Sequence, residues 1–526
     1  MIPLTDWLLR HLALESLRAR WGKPGMKDGW LAGRYFELTR NESASAFVDD
    51  RTWGDLEFPK IFSVLDSTVT PPGGQTLYRM MRHYIADDGE LADRYRVYEA
   101  FRSDASLRET IQLRLAALEG DSNASIADFI FGEPPAEPKF GRLAPWCGLL
   151  SAVTLAGVVL LSVPLVLWIA LVIVNFGIFI RTSRALVHDN RQLEDCYRLL
   201  RVADRLAKIP SSSQSQLLKL VEESPLRATA RGKLRWFALS QGTIASNLLT
   251  PFNVAFLLEY ILYVRTVNQI VRIQPILAST FRLVGSLDAA IAVASFLEGS
   301  PDHCLPAITT QPLIDIENGH HPLTANPVRN SIRLDGRSAL VTGSNMAGKT
   351  TFIKMIGINV ILGRTLGFCL ASKATIPRSS VMASIRGEHS VESGKSHYFA
   401  EIEAIHSFIE IAKQGDCGIF VIDELFNGTN TVERLATVRA VLENICRKAQ
   451  VLVTTHDVEL QAVLAEHYDL YHFREDPDVE GFYDFRLRKG ASTARNAIRL
   501  LERTGFPREI VVSATAYARR SDGPDT

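Results

Sequence analysis

Ser338-Ala339-Leu340-Val341-Thr342-Gly343-Ser344-Asn345-Met346-Ala347-Gly348-Lys349-Thr350-Thr351-Phe352-Ile353-Lys354 reads as a short apolar strand, a glycine-bounded turn and the start of a helix. The turn satisfies G-x-x-x-x-G-K-[ST] in full. Its glycines let the backbone curl so that successive N–H groups converge on one point. The helix N-terminus adds a favourable partial charge at that point. This arrangement suits the phosphates of a nucleotide. Gly343, Ser344, Asn345, Met346, Ala347, Gly348, Lys349, Thr350 and Thr351 are the expected binding residues. Lys349 is expected to reach the β- and γ-phosphates, and Thr350 to offer its hydroxyl to Mg²⁺. A chance match would lack the strand before the turn and the helix after it.

Two further strands supply the rest of a hydrolytic site. Gly418-Ile419-Phe420-Val421-Ile422-Asp423-Glu424 is an apolar run ending in two carboxylates. Asp423 is the expected metal ligand and Glu424 the general base for the attacking water. The competing reading, an acidic pair that caps the next segment, loses force with a phosphate-cradling turn upstream. Val451-Leu452-Val453-Thr454-Thr455-His456-Asp457 ends in His456, placed to contact the γ-phosphate or the water. Catalysis is thus assigned to Glu424, His456 and Lys349, with ATP and Mg²⁺ as nucleotide and cofactor. The runs Ala339–Thr342, Ile419–Ile422, Val451–Thr454 and Leu470–Phe473 alternate with helical patterns. That alternation predicts an α/β domain with a mainly parallel sheet.

The region before it differs in character. Leu143–Ile180 holds no charged residue, about twice the ~20 residues that one membrane span requires. Ser162-Val163-Pro164 near its middle predicts a turn, so the segment reads as a helical hairpin, Leu143–Leu161 then Pro164–Ile180. Lys139 and Arg142 precede it; Arg181 and Arg184 follow it. Basic flanks on both sides place both ends in the cytoplasm, with the ATP site. Leu248–Val264 is also apolar, but it carries Glu259 and Pro251 and reads as a soluble amphipathic helix.

Residues 1–130 and 181–300 read as helical. Leu8, Leu12 and Leu17, and later Ile111, Leu115 and Leu118, recur at helical spacing. After Arg181 come Arg191, Arg198, Arg201, Arg205 and Lys208; a solvated, headgroup-facing surface explains them more simply than nucleic acid. Lys plus Arg and Asp plus Glu are 58 each, so overall charge selects no polyanionic partner. The six cysteines form no CxxC pair, and a reducing compartment fits them. Asp6, Arg10 and Glu15 interrupt any signal-peptide pattern.

Together these motifs resemble the MutS family of ATPases. Ser344–Thr351 is similar to the family's P-N-M-G-G-K-S-T. Asp423-Glu424-Leu425-Phe426-Asn427-Gly428-Thr429-Asn430 is similar to D-E-L-G-R-G-T-S, with Phe426 and Asn427 in place of Gly and Arg. Lys395-Ser396-His397-Tyr398-Phe399-Ala400-Glu401 is similar to S-T-F-x-x-E. Gly319-His320-His321-Pro322-Leu323, Gly285-Ser286-Leu287-Asp288-Ala289 and Gly505-Phe506-Pro507 also resemble family segments. The resemblance implies a homodimer with two composite ATP sites, in which Ser396 faces the partner's γ-phosphate. Taken with the uncharged run, the expected order is a helical N-terminal region (1–140), a transmembrane hairpin (141–182), a helical lever region (183–305), the P-loop ATPase domain (306–520) and a disordered tail (521–526). The fold class is thus α plus α/β. The 142 residues before the apolar run are too few for mismatch-reading and connector domains plus a lever. Phe296-Leu297-Glu298 and Phe399-Ala400-Glu401 spell the family's Phe-x-Glu reader but sit in the wrong places for it. The expected function is a membrane-anchored, MutS-like ATPase whose dimer closure moves a lever and acts on DNA. The alternative is an ATP-driven signalling or remodelling machine at the membrane that binds no DNA.

Overall fold

The computed structural model describes residues 4–25, 32–40, 47–118, 126–133, 143–210, 215–240, 251–252, 254–344, 346–385, 397–413, 418–426, 431–474, 483–491 and 505–521. The chain packs as two compact units. The first is Met1–Ala44, Phe62–Met80 and Arg96–Gly299; the second is Ser45–Ile61, Met81–Tyr95 and Ser300–Thr526. Residues 45–61 and 81–95, expected within one N-terminal block at 1–140, therefore belong with the second unit.

Among its described residues the first unit is helical, and its longest elements are Leu165–Leu206 and Leu258–Gly299, 42 residues each. The Gly285–Ala289 motif lies on the second of these. Asp288 is fully buried there and accepts hydrogen bonds from the Val69 and Thr70 N–H groups and the Thr70 hydroxyl. A Cβ on Gly285 would come within 2.2 Å of Thr76 Oγ1, and one on Gly73 within 2.2 Å of Asp288 Oδ2. The motif is thus a close-packed lock on the N-terminus of helix Pro71–Arg82. Elsewhere in this unit, fully buried Arg227 pairs with Asp204 at 3.1 Å, and Arg231 meets the same carboxylate at 2.6 Å.

The apolar run forms two helices. Ala144–Leu161 ends at Ser162, whose φ of 55° is left-handed, and Pro164 precedes the next helix at Leu165. The second helix does not stop at Ile180 as expected. It continues to Leu206 because no Gly or Pro intervenes and Leu193, Cys196, Leu200 and Ala203 form a buried stripe at helical spacing. By length and composition Ala144–Leu161 could cross a membrane, whereas the apolar stretch within Gln269–Gly299 is mostly buried in protein. Val159 and Leu160 are 74% and 78% exposed, and Leu149, Val153, Val166 and Ile173 are exposed as well. The Leu248–Val264 helix is corrected too: Leu257, at φ 52°, separates 254–256 from the helix that starts at Leu258. That break presents the Ala255 carbonyl to buried Asn175, which donates to it at 2.7 Å.

In the second unit, β4 (Ser338–Thr342), β6 (Val381–Ser384), β7 (Ile419–Asp423), β8 (Gln450–Thr455), β9 (Tyr468–His472) and β10 (Arg488–Lys489) form a sheet ordered β10-β9-β4-β8-β7-β6. All its pairings are parallel except β10 with β9. β1 (Ala307–Thr309), β2 (Leu313–Gly319), β3 (Asn330–Asp335) and β5 (Lys373–Pro377) form a second, mixed sheet ordered β1-β5-β2-β3. The strands expected from the β-branched runs are all present. Central β4, β7 and β8 are buried on both faces, as parallel strands require. The last helix, Arg508–Ser521, takes in the first residue of the expected tail, and 522–526 lie outside the described residues.

Asp288→Ala would strand the buried N–H and hydroxyl of Thr70 and the half-buried N–H of Val69. Urea unfolding of the purified protein is expected to show a loss of about 2–5 kcal/mol.

Candidate nucleotide site

The turn after β4 has the geometry its sequence calls for. Gly343 has φ 143°, and a Cβ there would come within 2.7 Å of the Phe473 carbonyl oxygen. Gly348, at φ 94°, is the left-handed residue from which helix Lys349–Thr365 starts. Both positions exclude side chains for backbone reasons. Lys349 folds back over the turn and donates to the Gly343 carbonyl at 2.7 Å and the Ser344 carbonyl at 2.9 Å. Its Nζ lies 3.8 Å from Glu424 Oε1. Burial pushes the Lys349 pKa down, against the pull of Glu424 and Asp423.

Three strand ends converge here. Asp423 ends β7, and the Thr350 hydroxyl donates to it at 2.9 Å. Thr454, its register partner on β8, donates to the same carboxylate. Glu424 follows at φ 48°, in the left-handed region, with its N–H bonded to the Thr454 carbonyl at 3.2 Å. His456 Nδ1 stands 3.6 Å from Glu424 Oε1. Its other nitrogen is 3.8 Å from Asp457, which Arg434 holds at 2.7 Å. The Thr350 hydroxyl and Asp423 carboxylate are hard oxygen donors side by side, a pair that suits Mg²⁺ with phosphate and water completing its shell.

Lys349, Thr350, Asp423, Glu424 and His456 therefore come together. Ser344 donates to or accepts from the Tyr483 hydroxyl at 3.3 Å, Ala347 is buried, and Met346 and Thr351 are exposed. Asn345 and Ser396 lie outside the described residues. Thr454, Arg434 and Tyr483 are neighbours that the motifs did not flag. Thr454 is visible only once the β7–β8 register is known, and Arg434 and Tyr483 only from the tertiary fold.

Residues 339–521 match the family model described as MutS domain V. The DNA mismatch repair protein MutS of Leuconostoc mesenteroides is 24% identical over 356 residues, 65% of this chain and 38% of that protein. The protein of the same name from Carboxydothermus hydrogenoformans is 28% identical over 273 residues, 49% and 32% of the two chains. Endonuclease MutS2 of Clostridium tetani is 31% identical over 243 residues, 44% and 30%. Residues 339–521 are thus a MutS-type domain V. The chain spans about a third of the length of the curated relatives it matches.

Against the MutS pattern, the substitution of Phe426 for Gly has a structural account. Phe426 has φ 57°, a left-handed conformation that Gly adopts freely and Phe does not. Its ring is 3% exposed, in a core with Ile405, Phe408, Phe420 and Leu442. Its N–H donates to Glu401 Oε1 at 2.7 Å. Glu401 is thereby committed to this turn, and Glu298 to an ion pair with Arg102 at 3.0 Å. Both Phe-x-Glu sequences thus have structural roles for their acids.

Phe426→Gly tests this balance. Relief of the left-handed backbone is worth about 1–2 kcal/mol, whereas loss of a buried ring costs about 3–5 kcal/mol. Thermal unfolding is expected to show net destabilisation, even though the change restores the family residue.

Proposed function

We propose that this chain is a MutS-type ATPase tethered to a membrane by its apolar hairpin, with the ATPase domain and both termini cytoplasmic. The observation that carries the ATPase reading is the convergence of Lys349, Thr350, Asp423 and Glu424 at the C-terminal ends of parallel strands. The N–H groups of the Gly343–Thr350 turn orient the phosphates, and Lys349 exchanges its carbonyl partners for β- and γ-phosphate oxygens. Mg²⁺, held by Thr350 and Asp423, would neutralise charge on the phosphates. Glu424 accepts a proton from the attacking water, and His456 beside it orients that water or contacts the γ-phosphate. In the family's manner, two copies form composite sites. Ser396 of one faces the γ-phosphate bound by the other, and closure and opening of the dimer move the helical lever region at 183–305.

Lys349→Ala is expected to weaken ATP binding, read by titration with a fluorescent ATP analogue. Glu424→Gln is expected to retain ATP while turnover falls by about 10²-fold or more. Unchanged turnover in Glu424→Gln would remove Glu424 as the base.

The membrane reading rests on the uncharged run and on the exposure of its large apolar side chains, which protein packing leaves uncovered. It predicts that the protein stays with the membrane after extraction at high salt and alkaline pH. Release into the soluble fraction would overturn it.

One observation favours action on DNA over a purely membrane-side machine. Arg198, Arg201 and Arg205 are exposed on one helix face. At about 1.5 Å per residue, Arg201 lies roughly 30 Å along the helix from Arg181, well beyond a Debye length of about 8–10 Å. On a helix aligned with the membrane normal, that distance argues against the headgroup explanation and leaves the face open to a polyanion. Duplex DNA should then bind and dissociate as salt is raised, with a shallower salt slope in an Arg201→Ala/Arg205→Ala variant. Failure to bind at low salt would leave the signalling or remodelling reading.

A further inference from the structure

β6 is an edge strand, and its outward N–H groups are capped by side chains that come from more than 290 residues earlier in the sequence. The Val381 N–H donates to the Tyr84 hydroxyl at 3.1 Å, the Ala383 N–H to the Thr52 hydroxyl at 3.0 Å and the Ile385 N–H to Asp55 Oδ2 at 2.9 Å. These are alternate residues, and together they use the hydrogen-bonding side that an edge strand otherwise leaves open. Thr52 and Asp55 lie on the short helix Asp50–Asp55, whose cap Asp49 accepts from both the N–H and the hydroxyl of Thr52. Buried Arg82 fixes the approach to this helix by donating to the Val48 and Asp49 carbonyls and by lying 4.7 Å from the centre of the Trp53 ring.

The residues that follow this helix reach another wall of the nucleotide site. Glu57, at φ 57°, pairs with Lys354 at 3.0 Å, and Lys354 is one helical turn beyond Thr350. Burial alone would raise the Glu57 pKa, but hydrogen bonds from Lys60 and Lys354 hold it at about 2. A Cβ on Gly357, on the same helix, would stand 3.3 Å from both Leu56 Cδ1 and Val421 Cγ2. Leu56 therefore packs where the phosphate-loop helix meets β7. On the other side, β6 pairs with β7 so that Ser384 stands opposite Ile422, next to Asp423.

We propose that Asp50–Glu57 is a positioning brace for the nucleotide site, holding helix Lys349–Thr365 and strands β6 and β7 so that Thr350 and Asp423 meet. It touches no phosphate itself. Its side chains act through Lys354, Gly357 and the β6 edge, and the inference rests on the ATPase reading above.

The test uses the full-length protein in detergent at pH 8. ATP turnover, the KM for ATP, the Mg²⁺ concentration for half-maximal rate and thermal stability are compared for wild type, Glu57→Gln, Thr52→Val and Thr52→Ser. The brace predicts a kcat lower by about tenfold in Glu57→Gln and Thr52→Val, with a higher Mg²⁺ requirement and little change in the affinity for a fluorescent ATP analogue. Thr52→Ser, which keeps the hydroxyl, should recover most of the rate. Glu57→Gln removes a charge but little volume, so it remains informative if Thr52→Val folds poorly. Should kcat and Mg²⁺ dependence in folded Glu57→Gln stay within about twofold of wild type while only stability falls, the segment merely supports the fold and the proposal is overturned. Absence of turnover in the wild type would instead defeat the ATPase reading on which the brace depends.

Discussion

Parallel strands have no hairpin turns between them, so their relative heights depend on crossovers and packing rather than on local turn chemistry. In this protein that height decides whether the Thr350 hydroxyl can reach Asp423. The register Asp423 opposite Thr454, on two strands buried on both faces, brings β7 and β8 to a common end. The helix that starts at Lys349 then needs only to lie over them for the hydroxyl and carboxylate to meet at 2.9 Å. Glu424 and His456 inherit their separation of 3.6 Å from the same register.

Local signals in the chain were sufficient where the structure is local. Gly343 and Gly348 announce a turn that no other residue accommodates, and the apolar runs ahead of Asp423 and His456 announce the strands that carry them. Ser162-Val163-Pro164 likewise marked the hairpin turn. The limits of the reading are equally physical. The uncharged run closes at Ile180, but charge does not stop a helix, and a buried stripe from Leu193 to Ala203 carries it onward. Phe426 could be seen as a departure from the family pattern, yet its compensation by a buried ring is a property of the folded core. Thr52, Asp55 and Tyr84 carry no motif at all. Their partners are backbone N–H groups on a distant strand, and a backbone group has no letter in the sequence.

The hairpin poses the opposite problem from the nucleotide site. Its composition is plain, while its packing explains little of it. Asn175 is buried and satisfied by the Ala255 carbonyl, so the polar atom within the apolar helix has a protein partner. Val166, Ile173, Val174 and Phe176 on the same helix are exposed. That contrast, with the polar group covered by protein and the apolar groups left outside, is what the proposed membrane anchor calls for.

The bond from Ala383 to Thr52 also bears on how the chain can be made. It joins residues 331 apart, and the stretch between them includes the whole apolar hairpin. At roughly 5–20 residues per second of synthesis, the early segment must wait many seconds for its strand to emerge. During that interval the hairpin has already left the ribosome, before the second unit can close. Such long-range pairing makes for slow folding, and the waiting segment is a natural client for a chaperone.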